Sequence, residues 1–142
     1  MKLLDVNILV EAHRADAPFH REVSEWLSEA MGEPPGVVVS DLVLSGFLRV
    51  VTHPRVFKEP TPLVRALEFV EALRSRRAVR VVAPGSKHWN IFTELLTRFD
   101  ATGNHIPDAF HAALAMEYGY EWVSLDRGFS RYRDLKWIHP LD

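Results

Sequence analysis

The chain has 142 residues, 47% of them hydrophobic and 25% charged, with a formal net charge of −2; this is the profile of one globular unit with a substantial core, and it excludes a disordered segment. No apolar run approaches the roughly 20 residues that cross a bilayer, and the absence of cysteine excludes disulfides, thiolate nucleophiles and Cys-ligated zinc. The slightly acidic balance argues against a large nonspecific nucleic-acid surface, because phosphate affinity comes from Lys and Arg. Lys2-Leu3-Leu4 runs straight into Asp5 without the basic, apolar and small-residue order of a secretion signal, so a cytoplasmic location is expected.

No repeat or linker interrupts residues 1–142, which are expected to form a single domain. Lys2 to Leu4 reads as a first strand, short and apolar. Val23, Trp26, Leu27 and Ala30 then mark one face of a helix. Val37 to Val39 is a second strand, followed by a helix with Leu42, Leu44, Phe47, Leu48 and Val51, capped by Ser40 or Asp41. Thr61-Pro62 opens another helix carrying Leu63, Ala66, Leu67, Val70 and Leu73. Val79 to Val82 is a third strand, and Ser86 is placed to cap a helix whose stripe is Trp89, Phe92, Leu95, Leu96 and Phe99, read as core. A last helix runs from about Ile106 to Tyr118 and stops at Gly119. Trp122 to Leu125 and, more weakly, Lys136 to Ile138 complete the strands. Strands alternating with helices predict an α/β domain on a mainly parallel sheet.

In such sheets, ligands bind beyond the carboxyl ends of the strands. Asp5 directly follows the first strand and Asp126 the fourth, while Asp108 occupies the first turn of the helix that starts near Ile106. Each acid alone has an ordinary structural reading, as a helix cap, a dipole partner or a turn residue. Together they are placed to meet at one rim. Carboxylates so gathered raise one another's pKa unless a cation lies among them. Oxygen ligands without Cys or a His set favour Mg2+ or Mn2+, an ion suited to phosphodiester hydrolysis. The seven histidines show no His-x-x-x-His pair, and all read as surface or core residues, with His111 near the side of Asp108.

The run Leu4-Asp5-Val6-Asn7-Ile8-Leu9-Val10 resembles the opening of PIN domains, specifically the VapC toxins of toxin–antitoxin pairs. Gly103-Asn104-His105-Ile106-Pro107-Asp108-Ala109-Phe110 resembles their third acidic motif, and Val123-Ser124-Leu125-Asp126-Arg127-Gly128-Phe129 their fourth. Leu48-Arg49-Val50-Val51-Thr52-His53-Pro54-Arg55-Val56-Phe57 is similar to the run that follows the second. The likeness covers essentially the whole chain in the right order. It implies a three-layer α/β/α sandwich and endoribonuclease activity on tRNA or rRNA with Mg2+ or Mn2+. It also implies a cognate antitoxin that blocks the site, and a homodimer. Asp5, Asp108 and Asp126 would be the metal ligands, with Asn7, Asn104 and Ser124 in support: Ser124 orienting the rim and Asn104 fixing the loop before Asp108.

Two positions depart from the family pattern. Gly46 stands where a glutamate is usual in the helix after the second strand, and Gly128 where an acid is frequent. Asp41, five residues before Gly46, points to another helix face and is no substitute; a water over Gly46 is the expected replacement. These departures motivate an alternative, a non-catalytic PIN-like module that binds RNA or protein. A structure-specific DNA nuclease ranks last, because the short chain lacks added helices to grip a duplex. Carboxylates converging on one cation favour the enzyme; carboxylates turned away into caps and ion pairs favour the binder.

Overall fold

The computed structural model describes all 142 residues. Five strands form one sheet: β1 (Lys2–Leu4), β2 (Val37–Ser40), β3 (Val79–Val82), β4 (Glu121–Val123) and β5 (Trp137–Ile138). Their spatial order is β3-β2-β1-β4-β5, and every neighbouring pair is parallel. The apolar runs of β1, β2 and β4 are buried because both sheet faces are covered: Leu3, Leu4, Val37, Val38, Val39, Trp122 and Val123 are fully enclosed.

Six helices supply the cover: α1 (Val6–His13), α2 (His20–Gly32), α3 (Asp41–Val51), α4 (Leu63–Ser75), α5 (His88–Arg98) and α6 (His105–Tyr118). The chain moves outward from β1 to β2 to β3, then crosses back to β4 on the far side of β1. Right-handed crossovers in the two directions place helices on opposite faces. Accordingly α1 packs against α2 and α3, and α3 against α4, while α5 and α6 pair with each other. The result is a three-layer α/β/α sandwich. Its topological switch point falls between β1 and β4, where the crevice for a ligand belongs.

Local chemistry explains where elements begin and end. Ser40 caps α3 by accepting the Val43 N–H, so Asp41 is the first helical residue and pairs instead with Arg74 of α4. Gly119 ends α6 in the left-handed region, φ +70°, where a side chain would be strained. Helix α1, which no expected element covers, follows β1 directly. Four expectations shift. Strand β4 is Glu121–Val123 and stops before Ser124 and Leu125. Helix α4 starts at Leu63, with Pro62 in the cap position. Ser86 caps nothing, because α5 begins at His88 without a side-chain cap. Trp89 is 65% exposed and not core, since only Phe92 and Leu95 of that stripe turn fully inward.

Candidate active site

Asp5 is held in extended backbone at the end of β1 by its own N–H, which donates to the Val123 carbonyl (3.0 Å). Its Oδ1 accepts the Val6 N–H at 2.7 Å and so caps α1. Its Oδ2 accepts the Ser124 hydroxyl at 2.6 Å and the Asn7 amide at 3.2 Å. Ser124, fully buried just after β4, also takes the Asp126 N–H on its Oγ at 3.0 Å. Asn7 closes the net: its Nδ2 donates to Ser124 Oγ (3.1 Å) and its Oδ1 accepts from the Leu125 N–H (3.1 Å). Asp5 and Asn7 thereby join Ser124, more than a hundred positions away, in fixing the ends of β1 and β4 against each other.

Asp126 Oδ1 accepts the Gly128 N–H at 2.8 Å, capping the 3-10 helix Arg127–Arg131. Asp108, in the first turn of α6, has its Oδ2 3.8 Å from His105 Nδ1. A cleft of about 570 Å³ opens at this rim, and Asp5, Asn7, Asn104, Asp108 and Asp126 all line it. The structure thus brings the sequence-selected acids to one cleft, with Ser124 beneath its floor. Asn104 departs from its expected role. Its side chain makes no capping bond, and backbone bonds from His105 to Thr102 and from Ile106 to Gly103 secure that loop.

Electrostatics report the crowding. Burial raises the Asp5 carboxyl to about 6; the Ser124 and Val6 bonds oppose this, and the Asp108 and Asp126 charges add to it. Asp108 is also raised, first by burial and then by Asp126. His111, one turn after Asp108, lines the same cleft and stacks on Trp122 with centroids 5.2 Å apart. Burial lowers it to about 4, so it is neutral near pH 7, and its Nδ1 has no partner.

One wall residue, Glu11, lies outside the sequence reading. Glu11 stands one turn beyond Asn7 on α1, a spacing that predicts a shared face; its carboxylate accepts the Phe19 N–H at 2.8 Å. Arg49 of α3 also lines the cleft and makes no ion pair within 4 Å, whereas Arg127 is held bidentately by Asp142. At Gly46 the Cβ position itself is crowded by hydrocarbon. A Cβ built there would meet Val6 Cγ2 at 2.8 Å.

No group of three or more acid or histidine side chains stands close enough to enclose an ion as the chain is arranged. The donor set still suits a hard divalent cation, because its ligands are carboxylate oxygens whose mutual repulsion a positive charge relieves. Mg2+ characteristically takes one or two carboxylates and keeps several waters, which an open cleft allows.

The PIN domain family model matches residues 2–135. Among characterised relatives, the chain is similar to ribonuclease VapC43 of Mycobacterium tuberculosis, 45% identical over 142 residues, covering 100% of this chain and 97% of that one. Ribonuclease VapC25 of the same organism is 39% identical over 140 residues, covering 99% of each. The fold is similar to that of VapBC2 from Rickettsia felis bound to promoter DNA (TM-score 0.73, 17% identity, 96% of each chain covered). It is likewise similar to Mycobacterium tuberculosis VapC20, a toxin that cleaves the sarcin-ricin loop (TM-score 0.72, 18% identity, 96% and 98% covered). On sequence and fold together, the chain belongs to the PIN-domain family, and within it to the VapC proteins.

Proposed function

We propose that this protein is a toxin-type endoribonuclease that hydrolyses tRNA or rRNA with Mg2+ or Mn2+ and is held inactive by a cognate antitoxin. The observation that carries the reading is the set of three carboxylates on one cleft, two of them raised in pKa partly by their neighbours. Asp5 and Asp108 would hold the ion, with Asp126 binding it directly or through water. When bound, such an ion supplies an activated water and positive charge for the phosphate and leaving oxygen.

The chain's own residues prepare that site. Ser124 and Asn7 hold Asp5 Oδ2 by two donors, which favours the ionised form and fixes the carboxylate's plane. The Gly128 N–H fixes Asp126 in the same way through Oδ1. Arg49, unpaired on the cleft wall, is available to the RNA backbone.

The groove between α3 and α4 supports a protein partner. Half of its lining is apolar, Leu44, Leu48, Leu67 and Val70, beside Asp41, Ser45, Glu71 and Arg74, and α4 also leaves Leu63 and Val64 exposed. We assign that face to the antitoxin or to a second copy in a homodimer. No helix is long and apolar enough to cross a membrane, and a cytoplasmic site of action is part of the same proposal.

Cleavage of a labelled tRNA and rRNA pool by the purified chain tests the reading, with Mg2+ or Mn2+, with chelator, and beside Asp108→Asn. Cleavage that needs the ion and disappears in the variant is expected. RNA binding without cleavage across substrates and ions would instead favour the non-catalytic module. That second reading rests on Gly46, which supplies no fourth acid and whose Cβ position the Val6 methyl crowds.

A further inference from the structure

Arg131 lies across Gly128 from Asp126, a wall residue of the acidic cleft, and itself lines the neighbouring hollow with Arg98 and Arg133. Five guanidiniums on this chain are paired with acids, Arg14 with Asp16, Arg21 with Glu22, Arg74 with Asp41, Arg98 with Glu94 and Asp134, and Arg127 with Asp142, and Arg131 is not among them. Arg131 has no carboxylate within 4 Å. Three contacts that involve no acid hold it instead. Its Nε donates to the Gly128 carbonyl at 2.8 Å, its Nη1 donates to His105 Nδ1 at 2.5 Å, and its guanidinium carbon lies 5.9 Å from the Tyr132 ring centroid.

Gly128 explains how it comes so near. A Cβ there would lie 2.9 Å from Asp126 Oδ1 and 3.1 Å from Arg131 Nη2, so carboxylate and guanidinium face each other across the space a side chain would fill.

A fixed guanidinium beside carboxylates opposes cation binding to them, so support of a metal is not what it contributes. It suits the other charged species the cleft would meet. With Nε and one Nη1 hydrogen engaged, Nη2 and the second Nη1 hydrogen remain as a planar fork matched to two phosphate oxygens. Because its contacts already orient the fork, little side-chain entropy is lost on binding. We propose that Arg131 binds a phosphodiester of the RNA beside the Asp108–Asp126 wall, as the fixed positive charge on the flank where Gly128 supplies no acid. This rests on the ribonuclease reading above.

The test is the affinity of the purified chain for a labelled single-stranded RNA of about ten nucleotides, in chelator, over a salt series. Parent, Arg131→Ala, Arg131→Lys and Arg77→Ala are compared; Arg77 lies before β3, at the opposite rim. Mn2+ affinity and thermal melting are measured on the same samples. Arg131→Ala should weaken RNA binding about tenfold and lower the salt slope by about one. Arg131→Lys should recover only part, and Arg77→Ala should match the parent. Mn2+ should bind Arg131→Ala at least as tightly as it binds the parent.

Equal RNA affinity in parent and Arg131→Ala overturns this assignment and leaves the ribonuclease reading intact if the parent still cleaves. A loss of Mn2+ affinity parallel to that of RNA also overturns it, by making Arg131 a prop for the acids. If Arg131→Ala melts early, Arg131→Lys decides: full recovery of affinity removes the fork from the account. A parent that binds no RNA overturns both proposals, and one that binds through Arg131 without cleaving overturns only the nuclease.

Discussion

Val6 and Gly46 are fitted to each other: the Val6 Cγ2 methyl lies 2.8 Å from where a Cβ at position 46 would stand. Val6 is the first residue of α1, next to Asp5, and its branched side chain has little rotamer freedom with which to withdraw. A glutamate introduced at 46 therefore meets the neighbour of the very residue it would join. Gly46→Glu should cost about 1–3 kcal/mol by overpacking and should not tighten Mn2+ binding. Gly46→Glu with Val6→Ala should regain stability and bind Mn2+ more tightly than the parent. Denaturant melts and a Mn2+ titration check both. Tighter binding in the single variant would show that Val6 is no obstacle.

Asp5 is raised from the usual 3.8 to about 6, mainly by burial. Its protonated form is thus favoured by folding. The stability this contributes is full below the ordinary carboxylate pKa and is lost as pH rises through about 6. By linkage the loss approaches about 3 kcal/mol. Asp5→Asn keeps an acceptor for the Val6 N–H and removes the charge. Without divalent ions it should gain on the parent between pH 4 and pH 8 by up to that amount. Added Mg2+ should stabilise the parent and not the variant. Denaturation midpoints at both pH values measure the gap; a gap that does not grow with pH contradicts the burial account.

The sheet was legible because its strands are short, β-branched and separated by helical periodicities. Asp5 was legible as the residue that directly follows a strand on the rim of a parallel sheet, whereas Asp126 reaches the same rim two residues further on, because β4 stops at Val123 and not at Leu125. Other features depend on partners remote in sequence. Helix α1 lacks a loop before it, so Asp5 serves as both strand end and cap, and the three-residue strand gives no spacing from which to read the change. Trp89 continues the apolar stripe of α5 yet faces outward, because the stripe is wider than the face that α6 covers. The cover of Gly46 comes from Val6 across 40 positions, and that of Arg131 from His105 across 26. Local patterns reveal elements and rim positions; they do not reveal what fills the space above a missing side chain.

His111 behaves in the opposite sense to Asp5. Burial lowers it from 6.5 to about 4, so folding favours the neutral ring. Its contribution is full above 6.5 and is lost as pH falls through about 4, amounting to about 3 kcal/mol. His111→Leu also deletes the unpartnered Nδ1. The parent should therefore lose more stability than the variant between pH 7 and pH 4. The contact with Trp122 is removed equally at both pH values, so the change in the difference isolates titration. Parallel acid losses would mean that His111 ionises freely in the folded chain.

Ser124 joins the two strand ends through one hydroxyl, which donates to Asp5 Oδ2 and accepts from the Asn7 amide and the Asp126 N–H. Its donation favours the ionised carboxylate and holds Asp5 below where burial alone would put it. Ser124→Ala removes that donor, so the Asp5 carboxyl should titrate above 6. The acidic limb of RNA cleavage should move to higher pH, with a loss of about 10–100-fold near neutrality, the usual scale for residues that orient metal ligands. Raising the pH should recover part of this loss, because the carboxylate is then ionised but still less well oriented. Ser124→Thr keeps the hydroxyl and should keep the parent's acidic limb if the added methyl is accommodated. A pH–rate profile of the three proteins reads the effect directly. A uniform fall in rate with no movement of the limb would reduce Ser124 to a packing residue and leave the Asp5 titration to burial alone.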